Sequence, residues 1–130
     1  MRGSNKKNLV MIADDDMFVR KVVSAALHGL CDIVEVTDGA QVVDTYLARN
    51  PDMLFLDIHL PNVLGMDLIH NLLHKDKGAF IVMLSADSSE QNVRNSRLRG
   101  AKGFVTKPFT KDRILHYFNK CPTIQFIDVG

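Results

Sequence analysis

Three acidic side chains in a row, Asp14, Asp15 and Asp16, close one short apolar run, and Asp57 closes another. Ser85 ends a third such run, and Lys107 with Pro108 follows a fourth at once. Carboxylates brought within a few ångströms repel one another and resist joint ionisation unless a cation relieves them. Oxygen donors of this kind suit Mg²⁺, which prefers a few carboxylates, waters and a phosphate to a complete protein cage. With Asp14, Asp15 and Asp57 negative, and Mg²⁺ and Lys107 positive, the charges roughly balance, so incoming phosphate is not repelled. Asp57 then reads as a nucleophile able to form an aspartyl-phosphate. Ser85 and Lys107 read as donors to the phosphoryl oxygens, which is largely what phosphoryl transfer asks of a protein.

That chemistry requires residues far apart in the chain to meet. Short apolar runs alternate with segments apolar at every third or fourth position, the pattern of a parallel sheet covered by helices on both faces. The expected strands are Leu9 to Ala13, Ile33 to Val36, Met53 to Leu56, Phe80 to Leu84 and Gly103 to Thr106. Phe18, Val19, Val22, Val23, Ala26, Leu27 and Leu30 mark the apolar face of a first helix, with Asp16 as its N-cap. Val42, Val43, Tyr46 and Leu47 mark a second, and Met66, Leu68, Ile69, Leu72 and Leu73 a third. A more polar fourth helix, capped by Ser88 or Ser89, runs to Arg99, and a fifth covers Lys111 to Asn119. Five such units predict one α/β domain with a doubly wound sheet, whose ligand site lies at the carboxyl ends of the strands. Every residue singled out above stands at such an end.

Composition narrows the function classes. Apolar residues make up 46% of the 130, charged residues 24%, and the formal net charge is +1 with the basic residues scattered along the chain. This gives no reason to expect direct nucleic-acid or membrane contact. No apolar run approaches the roughly 18 residues of a membrane span, and the start lacks a signal peptide's apolar stretch, so a cytoplasmic location is expected. Residues 1–6 read as a tag-like, disordered start, 7–121 as the domain, and 122–130 as a tail or the beginning of a linker. Cys31 and Cys121 read as reduced thiols. His70 and His74 have helical i, i+4 spacing, but without an acidic third ligand they read as a helix edge, not a zinc site. Lys6, Lys7, Arg94, Arg97 and Arg99 read as solvated surface. Each site residue has a plain reading alone, since acidic triplets and strand-end aspartates commonly make turns and caps. Their joint order and placement favour the chemistry.

The same residues resemble the receiver domains of response regulators, bacterial-type two-component signalling modules, from Lys7 to about Lys120. The resemblance rests on Ile12-Ala13-Asp14-Asp15-Asp16, on Leu56-Asp57-Ile58-His59-Leu60-Pro61 with Gly65, on Leu84-Ser85-Ala86, and on Gly100 through Phe109, in the family's order. It implies a flavodoxin-like sheet of order 2-1-3-4-5 with about five helices. It implies Asp14 and Asp15 as the acidic metal pair, Asp57 as phosphoacceptor and metal ligand, and a metal contact from the His59 backbone carbonyl. Ser85 is implied as the switch hydroxyl, Lys107 as the phosphate-binding lysine before an often cis proline bond, and Phe104 as the aromatic switch. It further implies Mg²⁺ as cofactor and a histidine kinase or histidine phosphotransfer protein as donor. Output would pass through the face of the fourth helix, fifth strand and fifth helix to an output domain or partner protein, and homodimerisation is open. Such a domain catalyses only its own phosphorylation and dephosphorylation. This chain has Ser85 where relatives often have threonine, His59 where a methionine or another residue is common, and Phe104 where many have tyrosine, so no ring hydroxyl is available to the switch. A phosphatase of the haloacid dehalogenase type would carry a second acid where His59 stands. A pseudo-receiver acting only as a binding module would lack an acid, the acceptor or the lysine, and all are present.

Overall fold

The computed structural model describes residues 7–126; the tag-like start expected over 1–6 and the last four residues of the tail lie outside them. Five strands alternate with five helices: β1 (Leu9–Ala13), α1 (Met17–Ala26), β2 (Asp32–Val36), α2 (Val42–Arg49), β3 (Met53–Asp57), α3 (Gly65–Lys75), β4 (Ile81–Ser85), α4 (Glu90–Arg99), β5 (Gly103–Thr106) and α5 (Lys111–Lys120). All strand pairings are parallel and the order is β2-β1-β3-β4-β5. This is the doubly wound, flavodoxin-like arrangement expected from the sequence. Parallel strands need crossovers, and the helices supply them on both faces.

Strand residues alternate between two cores. Met11, Leu54, Leu56, Ile81 and Met83 face Tyr46, Ile69 and Leu72 of α2 and α3. Val10, Ile12, Phe55, Val82 and Val105 face Val19, Val23, Ile114 and Phe118 of α1 and α5. β3 and β4 are buried along their whole length, hence their unbroken apolar runs. Burying one such large apolar side chain contributes about 1.5–3 kcal/mol, so these two strands anchor the frame that holds the site.

Local signals set the helix ends. Asp16 caps α1 through a 2.8 Å bond from the Phe18 amide, and Ser89 caps α4 through one from Asn92 at 3.3 Å. Gly100 ends α4 with φ +111°, a left-handed conformation that costs a glycine little. Three residues of the expected apolar stripes are instead exposed: Phe18 (73%), Leu30 (45%) and Leu47 (50%). Leu30 lies beyond α1, which stops at Ala26, so helical spacing no longer governs it. Phe18 lies in the first turn, at the rim of the sheet.

The described part of the tail packs against the base of the sheet. Ile124 is buried, Phe126 meets Phe118 edge-on, and the Asn8 side-chain amide exchanges two bonds with the Gln125 backbone, at 2.7 and 2.8 Å. Cys31 and Cys121 are free, and burial pushes the Cys31 thiol up to about 11. No helix among the described residues is long and apolar enough to cross a membrane.

Candidate functional site

Because all five strands run the same way, their carboxyl ends form one rim. Asp14 follows β1, Asp57 ends β3, Ser85 ends β4 and Lys107 follows β5. β3 is central, so Asp57 lies between the end of β1, through the pair Ala13–Leu56, and β4, through its own pair with Leu84. Carboxylate oxygens of Asp14, Asp15 and Asp57 lie within 4.8 Å of one another. Lys107 Nζ is 2.6 Å from Asp14 Oδ2 and 3.4 Å from Asp57 Oδ2. The remaining oxygens are held by backbone: Asp16 N–H donates to Asp14 Oδ1 at 2.9 Å, and His59 N–H donates to Asp57 Oδ1 at 3.1 Å. Lys107 follows a strand whose last pairing joins Thr106 to Ser85, and its own N–H donates to the Ser85 carbonyl at 2.9 Å; the Lys107–Pro108 bond is cis.

Three carboxylates converge here, and one ammonium contacts two of them. Two like charges about 4 Å apart repel by about 4 kcal/mol at an effective dielectric of about 20, so this arrangement lacks positive charge. Two oxygens bound to one Mg²⁺ at about 2.1 Å each are at most about 4.2 Å apart, and small side-chain rotations close the difference from the observed spread. The donor set, all hard oxygen and partly dry, therefore fits that ion.

Burial dominates at Asp14 and holds its pKa above the ordinary 3.8, despite the bonds from Lys107 and Asp16. Burial would depress Lys107, but its bonds and charge contacts with Asp14 and Asp57 outweigh it and hold its pKa above 10.5. A raised carboxyl pKa means that ionising Asp14 costs the folded state stability. Its contribution is therefore most favourable below the unfolded value and falls as pH rises through the folded one. Mg²⁺ should restore stability on the high-pH side only. Urea midpoints between about pH 4 and 8, with and without Mg²⁺ and alongside Asp14→Asn, check this. A Mg²⁺ effect of equal size at both ends would contradict it.

The structure thus brings Asp14, Asp15, Asp57 and Lys107 together. Ser85 stands at the same rim, and Phe104 lies within β5. Ser85 Oγ accepts the Asp87 amide at 3.0 Å, and Phe104 is half-buried, with its N–H donating to the Tyr117 hydroxyl at 3.4 Å. The His59 side chain is exposed. Sequence reading left the roles of three supports unassigned. Arg20 bonds the Asp14 carbonyl, Gly65 packs against the Asp57 backbone, and Phe18, Val22, Pro108 and Phe109 line an open cavity of about 280 Å³ beside Lys107.

Residues 10–119 match the model of the response regulator receiver domain. The chain belongs to that family. As a receiver domain it is similar to the chemotaxis protein CheY of Bacillus subtilis, with 34% identity over 113 residues, covering 85% of this chain and 94% of the relative. It is also similar to CheY in the CheX-CheY-BeF3-Mg complex of Borrelia burgdorferi, with 30% identity, a TM-score of 0.80 and 87% of each chain covered. A putative response regulator of Chloroflexus aurantiacus shares the fold at a TM-score of 0.83 and 23% identity, over 89% of this chain and 98% of that one. Receiver domains of this type are generally signalling modules of two-component systems, not enzymes, and the family generally binds Mg²⁺ at an acidic pocket.

Proposed function

We propose that this receiver domain takes a phosphoryl group onto Asp57 from a phosphohistidine of a histidine kinase or histidine phosphotransfer protein. The observation that carries the reading is the convergence of Asp14, Asp15 and Asp57 within 4.8 Å, with the Lys107 ammonium against two of them. Asp57 Oδ2 attacks the phosphorus, a P–O bond forms as the donor's P–N bond breaks, and the imidazole leaves. Asp14, Asp15, Asp57 and the His59 carbonyl would hold Mg²⁺. When bound, Mg²⁺ neutralises charge developing on the phosphoryl oxygens. His59 N–H fixes Asp57 Oδ1, leaving Oδ2 on the Lys107 side as the attacking oxygen. Lys107 then follows the phosphoryl group, and Ser85 Oγ exchanges its bond with Asp87 for one to a phosphoryl oxygen. That exchange would draw Phe104 inward and alter the α4, β5 and α5 face. Incubation with acetyl phosphate, with or without Mg²⁺, followed by intact mass tests the reading; no Mg²⁺-dependent adduct would refute it.

The charge distribution supports the output face. Residues 90–120 carry eight basic and two acidic side chains, whereas 7–89 carry six and twelve. Arg94, Arg97, Lys102, Lys111 and Arg113 are exposed on α4, before β5 and on α5. Arg113 lies 5.5 Å over the Tyr117 ring, and that ring covers Gly103 at the β5 edge. A target bearing acidic side chains fits this face in a cytoplasmic setting. Despite a formal net charge of +1, the protein should bind a cation-exchange resin at low salt. The double variant Arg94→Glu, Arg97→Glu should elute clearly earlier. Equal elution would mean that the basic residues do not act as one patch.

A further inference from the structure

Arg20 stands one turn into α1, yet only 14% of its side chain is exposed. Its Nε donates to Glu35 Oε1 of β2 at 2.9 Å, and its Nη1 donates to the backbone carbonyl of Asp14 at 3.0 Å. That carbonyl belongs to the peptide joining Asp14 to Asp15. A peptide unit is planar, so holding its oxygen fixes the plane and the direction in which Asp15 leaves it. Asp14 has other restraints, from the Val36 carbonyl, the Asp16 amide and Lys107. Asp15 is exposed, and its carboxylate has no hydrogen-bond partner among the described residues. Its position therefore depends on the backbone beneath it.

We infer that Arg20 is a positioning residue that sets Asp15 against Asp14 and Asp57 and thereby raises Mg²⁺ affinity, an inference that rests on the proposed function. The planar guanidinium directs donors to two partners at once, whereas a lysine offers one compact charge and cannot bridge them. Glu35 largely neutralises the guanidinium, so geometry and not its field is what reaches the carboxylates. Partners that orient metal ligands typically change affinity by about 10–100-fold when removed.

Mg²⁺ titrations followed by calorimetry and by the Asp15 and Asp16 amide resonances, on wild type, Arg20→Met, Arg20→Lys and Glu35→Gln, test this. Arg20→Met and Arg20→Lys should bind Mg²⁺ about tenfold more weakly, Glu35→Gln should fall between, and acetyl phosphate uptake at saturating Mg²⁺ should stay within about twofold of wild type. Should Arg20→Met not fold, Arg20→Lys carries the same comparison. Wild-type affinity in Arg20→Met, or full recovery in Arg20→Lys, overturns the inference. A wild-type chain that shows this Arg20-dependent Mg²⁺ binding yet takes no phosphoryl group overturns the Asp57 reading instead and leaves the positioning role standing.

Discussion

Wild-type protein incubated with acetyl phosphate and Mg²⁺ should gain one phosphoryl group by intact mass, stable in acid and lost in base, and Asp57→Asn should gain none. The substitution is close to isosteric. Asparagine keeps an oxygen to accept the His59 amide, as Asp57 Oδ1 does at 3.1 Å, so the strand end need not move. It removes the nucleophilic charge, which an aspartyl-phosphate requires. It also removes one of three mutually repelling carboxylates, while Lys107 keeps its shorter contact to Asp14. Loss of uptake should therefore accompany a urea midpoint that is unchanged or raised without Mg²⁺. Mg²⁺ bound as proposed would stabilise wild type by about 2.7 kcal/mol at a hundred times its dissociation constant, and that gain should shrink in the variant. Loss of uptake with a lowered midpoint would point to misfolding instead, and an adduct that survives the substitution would move the acceptor to another residue.

How much of this site is legible in sequence follows from how far each constraint acts. A strand end is local: an apolar run that stops at a charged or polar residue marks Asp14, Asp57 and Ser85 without a fold in hand, and parallel topology then carries them to one rim. Asp16 as a cap is equally local, and the Phe18 amide bonds it. Arg20 leaves no such mark, because a basic residue in an amphipathic helix, with Lys21 beside it, looks like any solvated one. Its role comes from Glu35 on a neighbouring strand. Phe18 fails for a related reason. Helical periodicity says which face a residue occupies, not whether the sheet extends far enough to cover it. The basic excess over residues 90–120 is countable in sequence, but that it falls on exposed positions of α4, the approach to β5, and α5 is visible only once the elements are placed. Ser85 marks the boundary in its own way. The sequence places its hydroxyl at the rim, but only the fold shows it bonded to the Asp87 amide rather than to a carboxylate.

Gly65→Ala should destabilise the protein by about 3–4 kcal/mol, an exceptional cost for one methyl group. A Cβ at position 65 would lie 2.2 Å from the Asp57 carbonyl oxygen and 3.0 Å from the Asp57 carbonyl carbon and Ile58 Cα, all of them backbone atoms that no rotamer change can move away. The Gly65 amide donates to the Ile58 carbonyl at 2.8 Å, tying the first residue of α3 to the stretch just past β3, so the helix cannot retreat without breaking that bond. Gly29 provides the comparison. It has φ +80° but open space where a methyl group would stand, so Gly29→Ala meets only the left-handed backbone penalty of about 1–2 kcal/mol. Urea midpoints of the two variants give the ranking, and a Gly65→Ala loss no larger than that of Gly29→Ala would show that β3 yields easily at its end. The functional consequence follows from which atom is struck. The displaced carbonyl belongs to Asp57 itself, so the variant should lose phosphoryl uptake even at temperatures where it remains folded. Glycine at the start of α3 thus serves Asp57, the proposed acceptor, by letting a helix begin against the backbone that holds it.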